Sequence, residues 1–194
     1  PNDVRPSLIE TMKRNGVNRV SMGIQSFNDN MLRFLHRRHS AQEAITAIDT
    51  IINGEIENIS IDLIYGLPEQ TVNDWDRDLN TAFSLPISHL SAYSLMFEDG
   101  TRLSRMRDDG IIKEADEEIC LQMFGNLMRK AKEESFNHYE ISNFSLPGKQ
   151  ARHNTGYWTD MHYLGLGPGA HSYNGISRQQ NICDLKAYVK AYGD

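Results

Sequence analysis

Apolar residues follow two different spacings along residues 1–101. In short segments every second residue is apolar, as at Val20 and Met22, which predicts strands. In longer segments every third or fourth residue is apolar, as at Trp75 and Leu79, which predicts amphipathic helices. The predicted strands are 18–24, 59–64 and 90–97, and the predicted helices are 5–15, 28–36, 40–53 and 71–85. This alternation predicts an α/β fold with a parallel sheet, either part of a barrel or doubly wound.

Residues at the predicted element ends agree with this interpretation. Ser40 and Glu43 have the spacing of a capping box at the start of a helix. Gly16 and Gly54 follow the ends of two predicted helices, and Pro86 follows the end of a third.

The pattern changes after residue 101. Residues 103–110 are highly charged, and we expect a mobile connection there. Residues 114–135 have the apolar stripe of a long amphipathic helix, 138–144 are predicted to form one short strand, and 184–192 a last helix.

Composition limits the classes of function. The chain has 194 residues, 39% hydrophobic and 24% charged, as in an ordinary globular domain. A net charge of -6 argues against a nucleic-acid partner. Cys120 and Cys183 lie too far apart for a metal knuckle or a disulfide framework and fit a reducing cytoplasm, so we expect a cytoplasmic protein. Because the first residue is Pro1 rather than Met, we also expect an excised part of a longer protein.

Asp62 interrupts the buried strand 59–64 near its carboxyl end. A lone carboxylate is costly to bury unless a partner pairs with it. The carboxyl ends of the strands form the working face of a parallel barrel, so Asp62 is a candidate ligand contact. The alternative is an acid satisfied by a neighbouring loop amide.

Gln25 and Arg37 can face the same edge as Asp62. Gln25 follows the first strand, and Arg37 lies beyond the next short helix, from which it can reach back. Arginine pairs with carboxylates and aspartate accepts hydrogen bonds from hydroxyls or amines, so the trio suits a small ligand with a carboxylate and a sugar. The alternative is that 37–39 form a solvated helix end.

The last third of the chain is rich in histidine, aromatic residues and glycine. His153 is the leading candidate for contacting a haem, because Tyr157 and Trp158 follow one helical turn later. The alternative is a structural histidine. Residues 165–170 lack the lysine of a phosphate loop, so their glycines predict close backbone approach to a strand or ligand instead.

These segments together resemble the radical S-adenosylmethionine proteins related to oxygen-independent coproporphyrinogen III oxidase. The segments that carry the resemblance are 19–27, 61–68, 140–144, 153–158 and 165–173. Within that family the HNxxYW pattern at 153–158 resembles the haem chaperone branch.

The resemblance implies the fold, the domains and the cofactors. Residues 1–101 would form the C-terminal half of a partial (β/α)6, TIM-like radical S-adenosylmethionine barrel, and 102–194 a truncated α+β C-terminal elaboration. Gln25, Arg37 and Asp62 match the family's S-adenosylmethionine contacts. A four-iron, four-sulfur cluster would complete the cofactor set, and haem would be bound or carried.

The chain departs from the family in lacking the CxxxCxxC motif that holds the cluster. We therefore expect no metal ligands among its own residues and no radical chemistry by this chain alone. The strands missing from the barrel would leave a sheet edge exposed, which favours self-association.

The resemblance leaves two functions open. One is a haem-binding chaperone that passes haem to an unknown acceptor protein. The other is an oxidase that decarboxylates coproporphyrinogen III to protoporphyrinogen IX. A fourth cysteine directly after the CxxxCxxC motif would favour the oxidase, and its absence the chaperone.

Overall fold

The computed structural model describes residues 1–192 and shows two compact units. The first comprises residues 1–150, and the second begins at residue 151. The predicted division at 101/102 refers to the family's domain architecture rather than to compactness, and it stays a prediction.

Three parallel strands separated by helices form the first part of unit 1, as the sequence predicts. The elements are α1 (Pro6–Arg14), β1 (Arg19–Gln25), α2 (Asp29–Phe34), α3 (Ala41–Asn53), β2 (Asn58–Tyr65), α4 (Val72–Ser84) and β3 (His89–Ser94). Strand β3 ends at Ser94 and not at Phe97, because its partner β2 ends at Tyr65.

Helix caps fix where two of these helices begin. The Ser40 hydroxyl and the Glu43 carboxylate exchange bonds with each other's backbone amides, which confirms the predicted capping box of α3. Thr71 and Asp74 make the same arrangement at α4.

The segment after β3 differs from the sequence prediction in two places. Residues 102–108 form helix α5 (Arg102–Asp108), not a mobile connection, because the Thr101 hydroxyl caps it and Arg107 pairs with Glu114 at 2.8 Å.

The long helix is α6 (Glu117–Glu133). The single strand predicted at 138–144 is a hairpin of β4 (Asn137–Glu140) and β5 (Asn143–Ser145), since the Glu140 carboxylate accepts from the Ser142 amide and turns the chain.

Strand β5 pairs antiparallel with β3, so the sheet is mixed, in the order β1-β2-β3-β5-β4. The parallel pairing predicted for the three strands of residues 1–101 is confirmed, and the antiparallel strands β5 and β4 come from the segment after residue 101. Strand β1 forms one edge of this sheet. Whether that edge drives self-association stays a prediction.

The two faces of this sheet differ in polarity, because successive strand side chains alternate between faces. Apolar residues of one face pack with α3, α4 and α6 into one core that includes Trp75 and Phe144. The strand side chains on the opposite face are mostly polar: Arg19, Ser21, Ser60, Asp62, His89 and Ser91. The polar face is where the sheet can contact a ligand.

Unit 2 contains α7 (Arg152–Trp158), a hairpin of β6 (His171–Tyr173) and β7 (Arg178–Gln180), and α8 (Leu185–Tyr192). Among residues 151–192, no apolar side chain is buried, and Ile176, Leu166 and Leu164 are 95%, 82% and 74% exposed. Unit 2 therefore has no apolar core of its own within the described residues.

No helix in residues 1–192 combines the length and the hydropathy needed to cross a bilayer.

Candidate functional site

The carboxyl end of β1 has an irregular backbone. The pairing with β2 shifts register between Gly23 and Gln25, which marks a β-bulge. Gln25 has a φ of 77°, in the left-handed region that non-glycine residues seldom adopt, and its side chain is 8% exposed. A bulge of this kind redirects a side chain at the working end of a strand.

The three predicted ligand contacts converge on Gly23. A Cβ placed on Gly23 would lie 2.6 Å from Gln25 Nε2 and 3.4 Å from Arg37 Nη2. Gly23 is also the register partner of Asp62 on β2. Glycine at this position lets the Gln25 amide approach the strand, because a side chain here would have to displace that amide. The structure thus brings together an amide, a guanidinium and a carboxylate.

Asp62 is half-buried on the polar face of the sheet. Burial is the main influence on the Asp62 carboxyl group and raises its pKa. Four weaker contributions lower this pKa: hydrogen bonds from the hydroxyls of Ser91 and Ser21, and the positive charges of Arg19 and Arg37. The partners of Asp62 are cross-strand hydroxyls, and the loop-amide alternative is not what the structure shows. A half-exposed carboxylate held in this way can still accept bonds from a ligand.

Arg37 reaches the site because α2 ends sharply. His36 has a φ of 52°, and the Arg37 amide donates to the Leu32 carbonyl at 2.9 Å, as in a Schellman C-cap. Two residues later, His39 is 5% exposed, with Nε2 3.1 Å from the Ile24 carbonyl oxygen. His39 therefore anchors this segment to the end of β1, while Arg37 and Arg38 are both exposed, as the alternative of a solvated helix end predicts.

A buried carboxylate holds the loop that follows Gln25. The Ser26 hydroxyl donates to Asp78 Oδ2 at 2.6 Å, and the Phe27 amide donates to Asp78 Oδ1 at 2.8 Å. Asp78 is 2% exposed, and burial raises its pKa to about 6. The charge of Asp74 raises this pKa further, whereas the two hydrogen bonds and the charge of Arg77 lower it.

A second buried polar chain lies on the same sheet face. His89 Nδ1 is 2.8 Å from the Ser60 hydroxyl, and its Nε2 is 2.7 Å from the Tyr139 hydroxyl. His89 is 2% exposed, and burial, together with the charge of Arg19, lowers its pKa to about 4. The imidazole is therefore neutral at pH 7 and ties β2, β3 and β4 together.

The sequence did not indicate Asp78, His39 or His89 as parts of this region. The sequence separations of their bonds, 15 residues for His39 to Ile24 and 52 for Ser26 to Asp78, follow no local pattern. The buried position of Asp78 on the apolar stripe of α4 was the one available signal, because an acid there needs a partner.

In unit 2, His153 lies on α7 and is exposed. Its Nε2 is 2.8 Å from the Tyr157 hydroxyl, and the two rings meet edge to face with centroids 5.1 Å apart. Trp158 on the same helix is 58% exposed. Tyr157 thus supplies one of the two aromatic neighbours predicted for His153, and a role of the exposed imidazole in binding haem stays a prediction.

The close backbone approach predicted for the glycine-rich segment 165–170 is found at Gly165. A Cβ on Gly165 would lie 2.1 Å from the His171 carbonyl oxygen, and the Gly165 amide donates to the Ser172 hydroxyl at 2.9 Å. The glycine thus permits close approach of a strand.

Within residues 1–192, no three His, Cys, Asp or Glu side chains converge in a way that could hold a metal ion. Cys120 and Cys183 are the chain's two cysteines. The CxxxCxxC motif of the superfamily holds a four-iron, four-sulfur cluster with three thiolates, so two cysteines do not fit that cluster.

Comparison with protein-family models matches residues 1–82 to the radical SAM superfamily. The chain is 35% identical over 189 residues to "Heme chaperone HemW" of Bacillus subtilis, covering 97% of this chain and 50% of that protein. It is 34% identical over 191 residues to the protein of the same name from Lactococcus lactis, covering 98% of this chain and 50% of the relative. The chain thus spans about half the length of these curated relatives.

Among solved structures, the coproporphyrinogen III oxidase HemN of Escherichia coli, described as a radical SAM enzyme, has the same fold. The TM-score is 0.78 at 20% identity, over 100% of this chain and 48% of that one. At this identity the likeness shows the fold alone, and it confirms the predicted α/β, TIM-like barrel segment. Sequence and fold agree with the resemblance inferred from the motifs: residues 1–82 match the radical SAM superfamily, and nearly the whole chain is similar to one half of the haem chaperone HemW proteins.

Proposed function

We propose that this chain supplies the S-adenosylmethionine-binding half of a radical SAM haem chaperone. The observation that carries this proposal is the convergence of Gln25, Arg37 and Asp62 at Gly23. An amide, a guanidinium and a carboxylate meet there at the end of two parallel strands, which is the working end of such a sheet.

Each member of the trio has a distinct role in this proposal. Arg37 pairs with the carboxylate of S-adenosylmethionine, since its guanidinium presents two parallel donors. Asp62 accepts from the ligand's hydroxyls or amine, and the Gln25 amide can both donate and accept. Burial of Gln25 keeps water away from this contact.

A reduced four-iron, four-sulfur cluster with bound S-adenosylmethionine supplies a 5′-deoxyadenosyl radical in this superfamily. With two cysteines, the chain does not hold that cluster, so the thiolates come from other parts of the protein. The residues of this chain bind and orient S-adenosylmethionine, and radical chemistry by the chain alone is not part of the proposal.

Haem is the proposed cargo, with His153 as a contact in unit 2. The relatives named haem chaperones support this proposal, as does an exposed imidazole in contact with Tyr157. We place the protein in the cytoplasm, with an unidentified haem-acceptor protein as its partner and no nucleic-acid partner.

The experiment is a haem titration of the anaerobically reconstituted full-length protein, followed by the Soret absorbance. A saturable shift that weakens in His153→Ala, but not in the matched exposed-histidine control His171→Ala, would support the proposed site. An equal loss in both variants would remove His153 from the site. No saturable shift in the unaltered protein would contradict the chaperone function.

The alternative is oxidative decarboxylation of coproporphyrinogen III. The fold shared with HemN is the observation that keeps this alternative. Anaerobic incubation of the reconstituted protein with coproporphyrinogen III tests it. Appearance of protoporphyrinogen IX would establish the oxidase, and turnover that stays at the level of a cluster-free control would exclude it.

A further inference from the structure

We propose that His39 and Asp78 are positioning residues that hold Gln25 in its left-handed backbone conformation and thereby pre-organise the S-adenosylmethionine contact. This inference rests on the proposed function of Gln25. Neither residue belongs to the ligand-contacting trio, so each acts through the backbone on either side of Gln25.

The conformation of Gln25 needs external support. A non-glycine residue with a φ of 77° is strained, and such a conformation persists only where the surroundings impose it. If Gln25 relaxed to a negative φ, its side chain would leave the space above Gly23 and lose its place beside Arg37. The strain is thus linked to the position of the ligand-facing amide.

His39 is hydrogen-bonded to the peptide group that precedes Gln25. The Ile24 carbonyl belongs to that group, and rotation about the Gln25 N–Cα bond changes its orientation relative to the Gln25 side chain. A carbonyl can only accept a hydrogen bond, so the His39 Nε2, 3.1 Å away, is the donor. Burial lowers the pKa of His39, which keeps the ring neutral with its proton on Nε2.

Asp78 is hydrogen-bonded to the two residues that follow Gln25. Its two carboxylate oxygens accept separate bonds from the Ser26 hydroxyl and the Phe27 amide. The Ser26 hydroxyl oxygen in turn accepts from the Asn28 amide at 3.0 Å. Because both carboxylate oxygens of Asp78 accept a hydrogen bond, the position and the direction of the backbone after Gln25 are both fixed.

Both supports come from rigid parts of the first unit. Asp78 is a buried residue of α4, whose neighbours Trp75 and Leu79 lie in the core. His39 directly precedes the capping box of α3. A site whose contacts are locked by packing loses little entropy when the ligand binds, so removing a support should weaken binding.

The test is a double-mutant cycle on S-adenosylmethionine affinity, measured by calorimetry on the full-length protein. His39→Leu should weaken binding by about tenfold, while His39→Gln, whose amide can donate the same bond, should recover most of this loss. In a Gln25→Ala background, His39→Leu should have little further effect, because the contact that it positions is gone. Asp78→Asn is tested in the same cycle and should behave likewise.

Several outcomes separate this inference from the proposed function. The positioning role would be overturned if His39→Leu weakened S-adenosylmethionine binding equally in the unaltered protein and in the Gln25→Ala variant. It would also be overturned if His39→Gln failed to recover affinity. Unchanged affinity in both Gln25→Ala and Arg37→Ala would overturn the proposed site, and the inference with it. His36→Asn is the histidine control, because asparagine tolerates a positive φ and His36 is exposed. If His39→Leu does not fold, the His39→Gln and Asp78→Asn arms decide the question.

Discussion

The two candidate sites of this chain are built in opposite ways. Gln25 is buried, adopts a strained backbone and has hydrogen-bonded supports on both sides. His153 is exposed on a seven-residue helix in a unit without buried apolar side chains among residues 151–192, and Tyr157 is its hydrogen-bond partner. A pre-organised site favours tight binding of a small cofactor, whereas an open site favours exchange of a cargo. This difference is what the proposed function requires, in which S-adenosylmethionine is held tightly and haem is passed on.

The largest expected effect concerns the two tryptophans, one in each unit. Trp75 is fully buried, and its Nε1 donates to the Met123 carbonyl at 2.9 Å. Trp75→Ala should lower the free energy of unfolding by about 3–5 kcal/mol, since it leaves a cavity and removes the indole hydrogen bond to α6. Trp158→Ala, at a 58% exposed position, should change it by less than about 0.5 kcal/mol.

Urea unfolding followed by far-UV circular dichroism checks both values. Similar losses in the two variants would show that the second unit is as well packed as the first, which would undermine the comparison.

The pH dependence of stability further distinguishes the first unit from the second. Two buried groups of the first unit, Asp78 and His89, change the free energy of unfolding in opposite directions as the pH changes. Asp78 has a pKa of about 6 when folded, above its ordinary 3.8, so its contribution is full below 3.8 and is lost as the pH rises through about 6. His89 has a pKa of about 4, below its ordinary 6.5, so its contribution is full above 6.5 and is lost as the pH falls through about 4. Each amounts to about 3 kcal/mol, and they largely cancel between pH 4 and 6.

Single variants separate the two contributions. On acidification from pH 7 to 4, Asp78→Asn should lose stability more steeply than the unaltered protein, and His89→Gln should lose less or gain. Denaturant titrations across this pH range give the slopes. If both variants follow the unaltered protein in parallel, these two groups do not govern its pH dependence.

A methyl group on Gly23 should weaken S-adenosylmethionine binding without unfolding the sheet. In Gly23→Ala the new Cβ would lie 2.6 Å from Gln25 Nε2 and displace that side chain, so the dissociation constant should rise by roughly tenfold. The matched control is Gly125→Ala on α6, where no atom lies within 4 Å of the new methyl group. Calorimetry on the full-length protein measures both, and unchanged affinity in Gly23→Ala would place the ligand elsewhere.

Much of the fold follows from local pattern. The spacing of Trp75 and Leu79 predicts a buried helix face, and both residues are in the core. The helix at 102–108 was missed because charge dominates it, although Thr101 precedes it as a cap. The β4–β5 hairpin was missed because a single carboxylate, that of Glu140, makes the turn.

The candidate site was predictable only in part. Gln25 ends β1 and Asp62 lies on the adjacent parallel strand β2, so their proximity follows from the topology. The supports of Gln25 do not, because the bond from Ser26 to Asp78 exists only after α4 has packed against the sheet. Sequence therefore indicated the side chains that we propose as ligand contacts, but not the residues that we propose to hold them in place.

The smallest expected effect concerns the hydroxyl that occupies His153 Nε2. Tyr157→Phe removes the bond of 2.8 Å to that nitrogen while keeping the ring that packs edge to face on the imidazole. Because a haem iron would compete with this bond for Nε2, its removal should tighten haem binding by about threefold. Tyr163→Phe, in the ring that contacts Tyr157, keeps the hydroxyl at His153 and is the matched control. Soret titrations compare the two, and weaker binding in Tyr157→Phe would mean that the hydroxyl orients the imidazole for haem, making this site more pre-organised than its exposure implies.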